Sequence, residues 1–96
     1  MYYDDDTIEQ VRSSNDIVDI VSTYVQLKRR GANYVGLCPF HNEKTGSFSV
    51  NRNMQIFKCF GCGVSGNVFG FIERTENISF PEAVEFLANR AGIKLP

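Results

Sequence analysis

The placement of its cysteines and its single histidine constrains this chain more than any other feature. All three cysteines and the only histidine fall into two matched pairs, Cys38-x2-His41 and Cys59-x2-Cys62, with 17 residues between them. Two donors separated by two residues sit on one tight turn, and two such turns supply the four donors of a tetrahedral zinc site. The expectation is one zinc ion held by Cys38, His41, Cys59 and Cys62. Four protein donors close the coordination sphere and leave no place for a water nucleophile, so the metal is expected to be structural. Three buried cysteines and an unrelated surface histidine would not account for the pairing. A redox reading of Cys59-Phe60-Gly61-Cys62 leaves Cys38 and His41 unexplained.

Ninety-six residues, 43% of them hydrophobic, suit one small folded domain over residues 1–96. A domain of this size gains from a metal staple. An odd cysteine count fits a fully paired disulfide framework poorly, and neither a secretory leader nor a long apolar run is evident, so a reducing cytoplasm is expected and no membrane partner.

Charge is unevenly spread. Residues 1–27 set six acids against Arg12, for −5, whereas residues 28–60 set six cations against Glu43, for +5; residues 61–96 add −1. The cations therefore cluster in the segment that carries the paired donors.

The order of elements follows from periodicity. Met1 to Asp6 reads as a polar, frayed start; Thr7 with Gln10 resembles a capping box ahead of Ile8 and Val11. Ser13-Ser14-Asn15 reads as a break, with Asn15 or Asp16 capping a short helix that buries Ile17, Val18, Ile20, Val21 and Tyr24. Alternation then takes over: Val25 and Leu27, a turn at Gly31–Asn33, a strand at Tyr34–Leu37, another at Ser47–Val50, a turn at Asn51–Asn53 and a strand from Gln55 to Phe60. On that last strand Ile56, Lys58 and Phe60 share one face, and Gln55, Phe57 and Cys59 the other. Gly61 and Gly63 supply backbone freedom at the second pair, and Ser65 can cap a helix carrying Val68, Phe69, Phe71 and Ile72. Ser79-Phe80-Pro81-Glu82 is a capping box for a last helix with Ala83, Val84, Phe86, Leu87 and Ala91 on its apolar side, closed by Gly92. The fold class is α+β: a zinc ribbon with a small antiparallel β-sheet flanked by short helices.

Cations and aromatics recur together in the strands: Lys28-Arg29-Arg30 before Tyr34, Lys44 before Phe48, Phe57 beside Lys58. Single-stranded nucleic acid calls for such a mixture, with cations tracking phosphates and rings accepting bases. The plainer alternative is that Phe48, Phe57 and Tyr34 pack the core, the commoner fate of any one aromatic, and that the cations are ordinary solvated residues.

The stretch from Leu27 to Gly70, LKRRGANYVGLCPFHNEKTGSFSVNRNMQIFKCFGCGVSGNVFG, resembles the amino-terminal zinc-binding domain of bacterial DnaG-type replicative primases. The flanking IVDIVSTYVQL and ISFPEAVEFLA resemble it too, so the likeness covers nearly the whole chain. The resemblance implies a domain placed ahead of an RNA polymerase core, engaging single-stranded template DNA and helping to choose where a primer starts. It implies template contacts from Arg30, Tyr34, Lys44, Phe48, Phe57 and Lys58. It also implies the polymerase core and the replicative helicase as partners at the bacterial replication fork, and magnesium only in that core. Gly46 departs from the family pattern, which has proline there, and loosens the loop between Lys44 and Phe48. Nothing in the 96 residues resembles the acidic magnesium-binding core of nucleotidyl transfer, so the chain is expected to be a non-catalytic piece of a primer-making DNA-directed RNA polymerase. The competing readings are a zinc module that docks onto the polymerase core or helicase without reading DNA, and an enzyme with catalytic zinc, which would need an open ligand position and a general base.

Overall fold

A computed structural model of the chain describes residues 3–42, 44 and 46–96. Met1 and Tyr2 of the expected frayed start, and Glu43 and Thr45 of the loop signature, lie outside the described residues.

Two helices lead into the sheet. The first, α1 (Asp5–Ser13), begins earlier than expected because Asp4, not Thr7, is its cap: the Asp4 carboxylate accepts from the Thr7 N–H at 2.8 Å. Asp5 and Asp6 then fall in the first turn, where carboxylates meet the positive end of the helix dipole. The start is anchored rather than frayed at Tyr3, which is buried and donates from Oη to Glu85 at 2.8 Å. Asp16 caps α2 (Ile17–Ser22) by accepting from the Asp19 N–H, and Ile17, Val18, Ile20 and Val21 are buried as their spacing predicts. Tyr24 lies past the end of this helix and stays partly exposed, with its ring edge-on to Phe71. Asn15 does more than break the chain. It is buried, and its amide donates to the Val11 and Leu87 carbonyls at 2.8 and 3.0 Å, tying α1 to the last helix.

Five strands follow in an antiparallel meander, β1 (Lys28–Arg30), β2 (Asn33–Gly36), β3 (Phe48–Asn51), β4 (Ile56–Cys59) and β5 (Ser65–Gly66), in spatial order β1-β2-β3-β4-β5. The short outer strands β1 and β5 extend the three the pattern predicted. Ser65 pairs with Lys58 in β5 and so does not cap the next helix, α3 (Val68–Glu76). Asn67 does, accepting from the Gly70 N–H. The final helix, α4 (Phe80–Ala91), opens with the expected capping box between Ser79 and Glu82 and ends at Gly92. Ala83, Val84, Leu87 and Ala88 are buried, while Phe86 and Ala91 lie toward solvent.

Pleating gives the sheet two unlike faces. Phe48 and Val50 of β3 and Phe57 and Cys59 of β4 are buried, beneath α2 over β3 and α3 against β5. Phe48, Phe57 and Phe71 form one aromatic cluster with centroids 5.5–6.1 Å apart. Gly36 is obligatory on steric grounds: a Cβ there would lie 2.6 Å from the Gln26 carbonyl oxygen. The β3–β4 turn is latched to α2 by Gln55, which accepts from the Ile17 N–H and donates to Asp16, both at 2.8 Å. Gln55 adopts φ 56°, a left-handed geometry that these bonds stabilise.

Candidate metal centre and open sheet face

Cys59 closes β4, directly opposite Phe48, which in turn faces Gly36 at the end of β2. Cys38 follows β2 by two residues, so antiparallel pairing carries both donor pairs to the same end of the sheet. The candidate ligand atoms of Cys38, His41, Cys59 and Cys62 all lie within 4.8 Å of one another. Cys38 Sγ and Cys62 Sγ are 3.9 Å apart, as are Cys59 Sγ and His41 Nδ1. Sulfurs about 2.3 Å from a tetrahedral zinc stand about 3.8 Å apart. The three sulfurs and one imidazole therefore fit that ion in both spacing and chemistry.

Local structure aims these donors. The Phe40 N–H points at Cys38 Sγ at 3.4 Å, and the Phe40 ring packs on Phe48, Phe57 and Phe71, pinning the first turn to the core. The second turn is closed by the Gly63 N–H donating to the Cys59 carbonyl at 2.8 Å. Gly63 takes φ 82°, which the missing side chain permits; Gly61 is not in the left-handed region. Burial pushes the Cys38 thiol up to about 12, reinforced by Cys59 and Cys62 beside it. Burial also opposes ionisation of Cys59, but the backbone N–H groups of Cys62 and Gly61, together with hydrogen bonds from the Cys38 and Cys62 side chains, outweigh it and hold that thiol below its usual value. A bound divalent cation reverses such resistance, since a coordinating thiol is deprotonated outright.

The face of the sheet turned away from the helices is basic. By register, one row across it runs Lys28, Val35, Ser49, Lys58 and Ser65, and the next Arg30, Asn33, Asn51 and Ile56. These rows hold three cations and no acid. Every described Asp and Glu belongs to a helix or caps one, so the molecule has an acidic helical layer and a basic open face. Beside β1, Lys28, Arg30, Val35, Leu37 and Pro39 line an open trough of about 570 Å³.

The six positions the resemblance implied for template do not share one surface. Arg30 and Lys58 lie on the open face, and Lys44 is exposed in the loop before β3. Phe48 and Phe57 are corrections: both are 0% exposed, so neither ring can accept a base. Core packing wins at these positions because their side of the sheet is the one the helices cover. Tyr34 is also on the helix side, where its ring lies under the Arg52 guanidinium at 5.2 Å, and Arg52 pairs with Asp16 and Asp19. Phe60, on the face alternation assigned to Lys58, is 72% exposed and was not among the six. Lys28 was also passed over, although it alternates with Arg30.

Residues 3–96 match the family profile described as CHC2 zinc finger. The DNA primase of Halalkalibacterium halodurans is 56% identical over 91 residues, and that of Clostridium acetobutylicum 58% over 91. Each alignment covers 95% of this chain and 15% of the relative, so the chain spans about one-seventh of the length of those proteins. A crystal structure of the zinc-binding and RNA polymerase domains of Aquifex aeolicus primase superposes with a TM-score of 0.89 at 48% identity, covering 94% of this chain and 22% of that one. These likenesses agree with the resemblance carried by the Cys-Pro-Phe-His and Cys-Phe-Gly-Cys pairs. No helix among the described residues is long and apolar enough to cross a membrane.

Proposed function

The chain belongs to the CHC2 zinc finger family, and from that premise we propose that it is the template-binding zinc domain of a bacterial primase. Cys38, His41, Cys59 and Cys62 hold one structural zinc ion, and the open face that their strands build binds single-stranded DNA. The observation that carries this reading is the charge of that face: Lys28, Arg30 and Lys58 stand on it with no carboxylate among them. Phosphate contacts of this kind position a strand without reading its sequence. Bound zinc clasps the two turns, so that β2 and β4 leave the site in a fixed relation, and the cations of β4 and of β1, which pairs with β2, keep their spacing. The domain would act ahead of an RNA polymerase core that contributes the magnesium chemistry and, with the replicative helicase, places it at the cytoplasmic replication fork.

Titration of the zinc-loaded chain with a labelled single-stranded oligonucleotide over a range of salt tests the reading. Replacing Lys58 or Arg30 by Ala should weaken binding about equally for different sequences and flatten the salt slope by about 0.7 per lost contact. Unchanged affinity and slope in both variants would favour a module that docks on the polymerase core or helicase.

A further inference from the structure

We propose that Phe60 is a base-stacking residue of the open face: its ring accepts one unpaired nucleobase from the strand whose phosphates Lys58 and its neighbours attract. The inference rests on the template-binding reading above and adds to it the group that tells a single strand from a duplex.

Four observations carry it. The ring is 72% exposed, in contrast to Phe48, Phe57, Phe69 and Phe71 of the core, so packing inside the domain does not account for an aromatic here. Its backbone is fixed on both sides: the Phe60 N–H donates to the Ser47 carbonyl at 2.9 Å, and the preceding Cys59 N–H to Val64 at 2.8 Å. Cys59 itself is fully buried, so the chain cannot roll Phe60 into the core. The ring is thus pre-organised, with only its two side-chain torsions to settle on binding. Third, Lys58 Nζ lies 5.2 Å from the ring centroid, which places a phosphate-seeking cation and a stacking surface side by side. Fourth, the register partners of Lys58 on this face are Ser49 and Ser65, neutral groups that do not repel a polyanion.

An exposed aromatic of this kind could alternatively enter an apolar pocket of a protein. Charge favours the nucleic acid, because Lys58 stands over the ring and Lys28 and Arg30 share its face of the sheet with no carboxylate among them. A base in a duplex is already stacked on both sides and offers no free face, so the site selects unpaired strands.

The chain contains no tryptophan, which makes Phe60→Trp a single-site optical probe. The zinc-loaded chain and its Phe60→Ala, Phe60→Trp, Lys58→Ala and Arg30→Ala variants are titrated with a single-stranded oligonucleotide, the same strand bearing abasic sites, and a duplex. Zinc content of each variant is measured alongside. Phe60→Ala should lose roughly 5- to 150-fold in affinity for the intact strand while retaining its zinc, and should no longer distinguish intact from abasic strand. Phe60→Trp should bind the intact strand about as well as the unaltered chain, and its indole emission should be quenched by that strand but not by the duplex. If Lys58→Ala or Arg30→Ala weakens binding and Phe60→Ala does not, or if the emission of the Phe60→Trp variant is unmoved at saturation, the stacking inference fails while the template-binding reading stands. If the unaltered chain does not bind the single strand, or if none of Lys58→Ala, Arg30→Ala and Phe60→Ala weakens binding, both fail.

Discussion

Stripping the metal with an excess of a strong chelator is expected to abolish the cooperative thermal transition of the chain. A single domain of this length is stable by roughly 5–14 kcal/mol in total, and a structural zinc site contributes on the order of 10 kcal/mol. The two magnitudes are comparable, so the remaining contacts cannot hold the fold. The effect should centre on the sheet. Cys38 and Cys59 are buried at one end of it, and an ion held by all four donors would join the turn after β2 to the turn after β4. Far-ultraviolet circular dichroism during a thermal melt, with and without chelator, gives the answer. Retention of a sharp transition within a few degrees of the original would mean that the core, not the metal, carries the fold.

The second large effect is expected from Phe57→Ala in the zinc-loaded chain. Phe57 is 0% exposed, and its ring meets those of Phe40, Phe48 and Phe71 at 5.5–6.0 Å. Gly66 lies against it so closely that an added Cβ would sit 3.4 Å from the ring. Rings from the first metal turn, β3 and α3 thus converge on this one β4 side chain, and these elements cannot all collapse into the space it leaves. A substitution of this kind costs about 3–5 kcal/mol, which for a domain of this size lowers Tm by roughly 15–25 °C. A drop of less than about 5 °C would show that Phe57 is not part of a packed core and would reopen its role in template contact.

The contrast between Phe57 and Phe60 marks where the sequence stops being informative. Alternation separated the faces of β4 correctly, with Phe57 and Cys59 on one and Lys58 and Phe60 on the other. It could not say which face the helices would cover, because that depends on how α2 and α3 pack across strands distant in sequence. Burial of one cysteine beside Phe57 was the available hint, since metal thiolates are generally shielded. The paired donors were legible because their spacing alone sets the turn geometry, and the Ser79–Glu82 box because both of its bonds are local. The caps at Asp4 and Asn67 were missed for a different reason. Each stands close to another residue with the same capping chemistry, and only the strand pairing of Ser65 or the docking of Tyr3 on Glu85 breaks the tie. The short strands β1 and β5 have no apolar alternation to announce them; they exist because a neighbouring strand offers unpaired backbone groups. Gln55 could not be anticipated either, since its left-handed backbone is maintained by side-chain bonds to α2, 38 residues earlier at Ile17.

Thiol accessibility measured together with metal content tests the zinc assignment most directly. Cys62 is exposed, so an uncoordinated Cys62 would be the first thiol to react with an alkylating reagent. Intact mass spectrometry of the native chain should find one zinc ion and no alkylated cysteine, with all three cysteines becoming reactive once the ion is chelated. A folded chain that holds no zinc, or that holds one while Cys62 alkylates freely, would contradict the assignment.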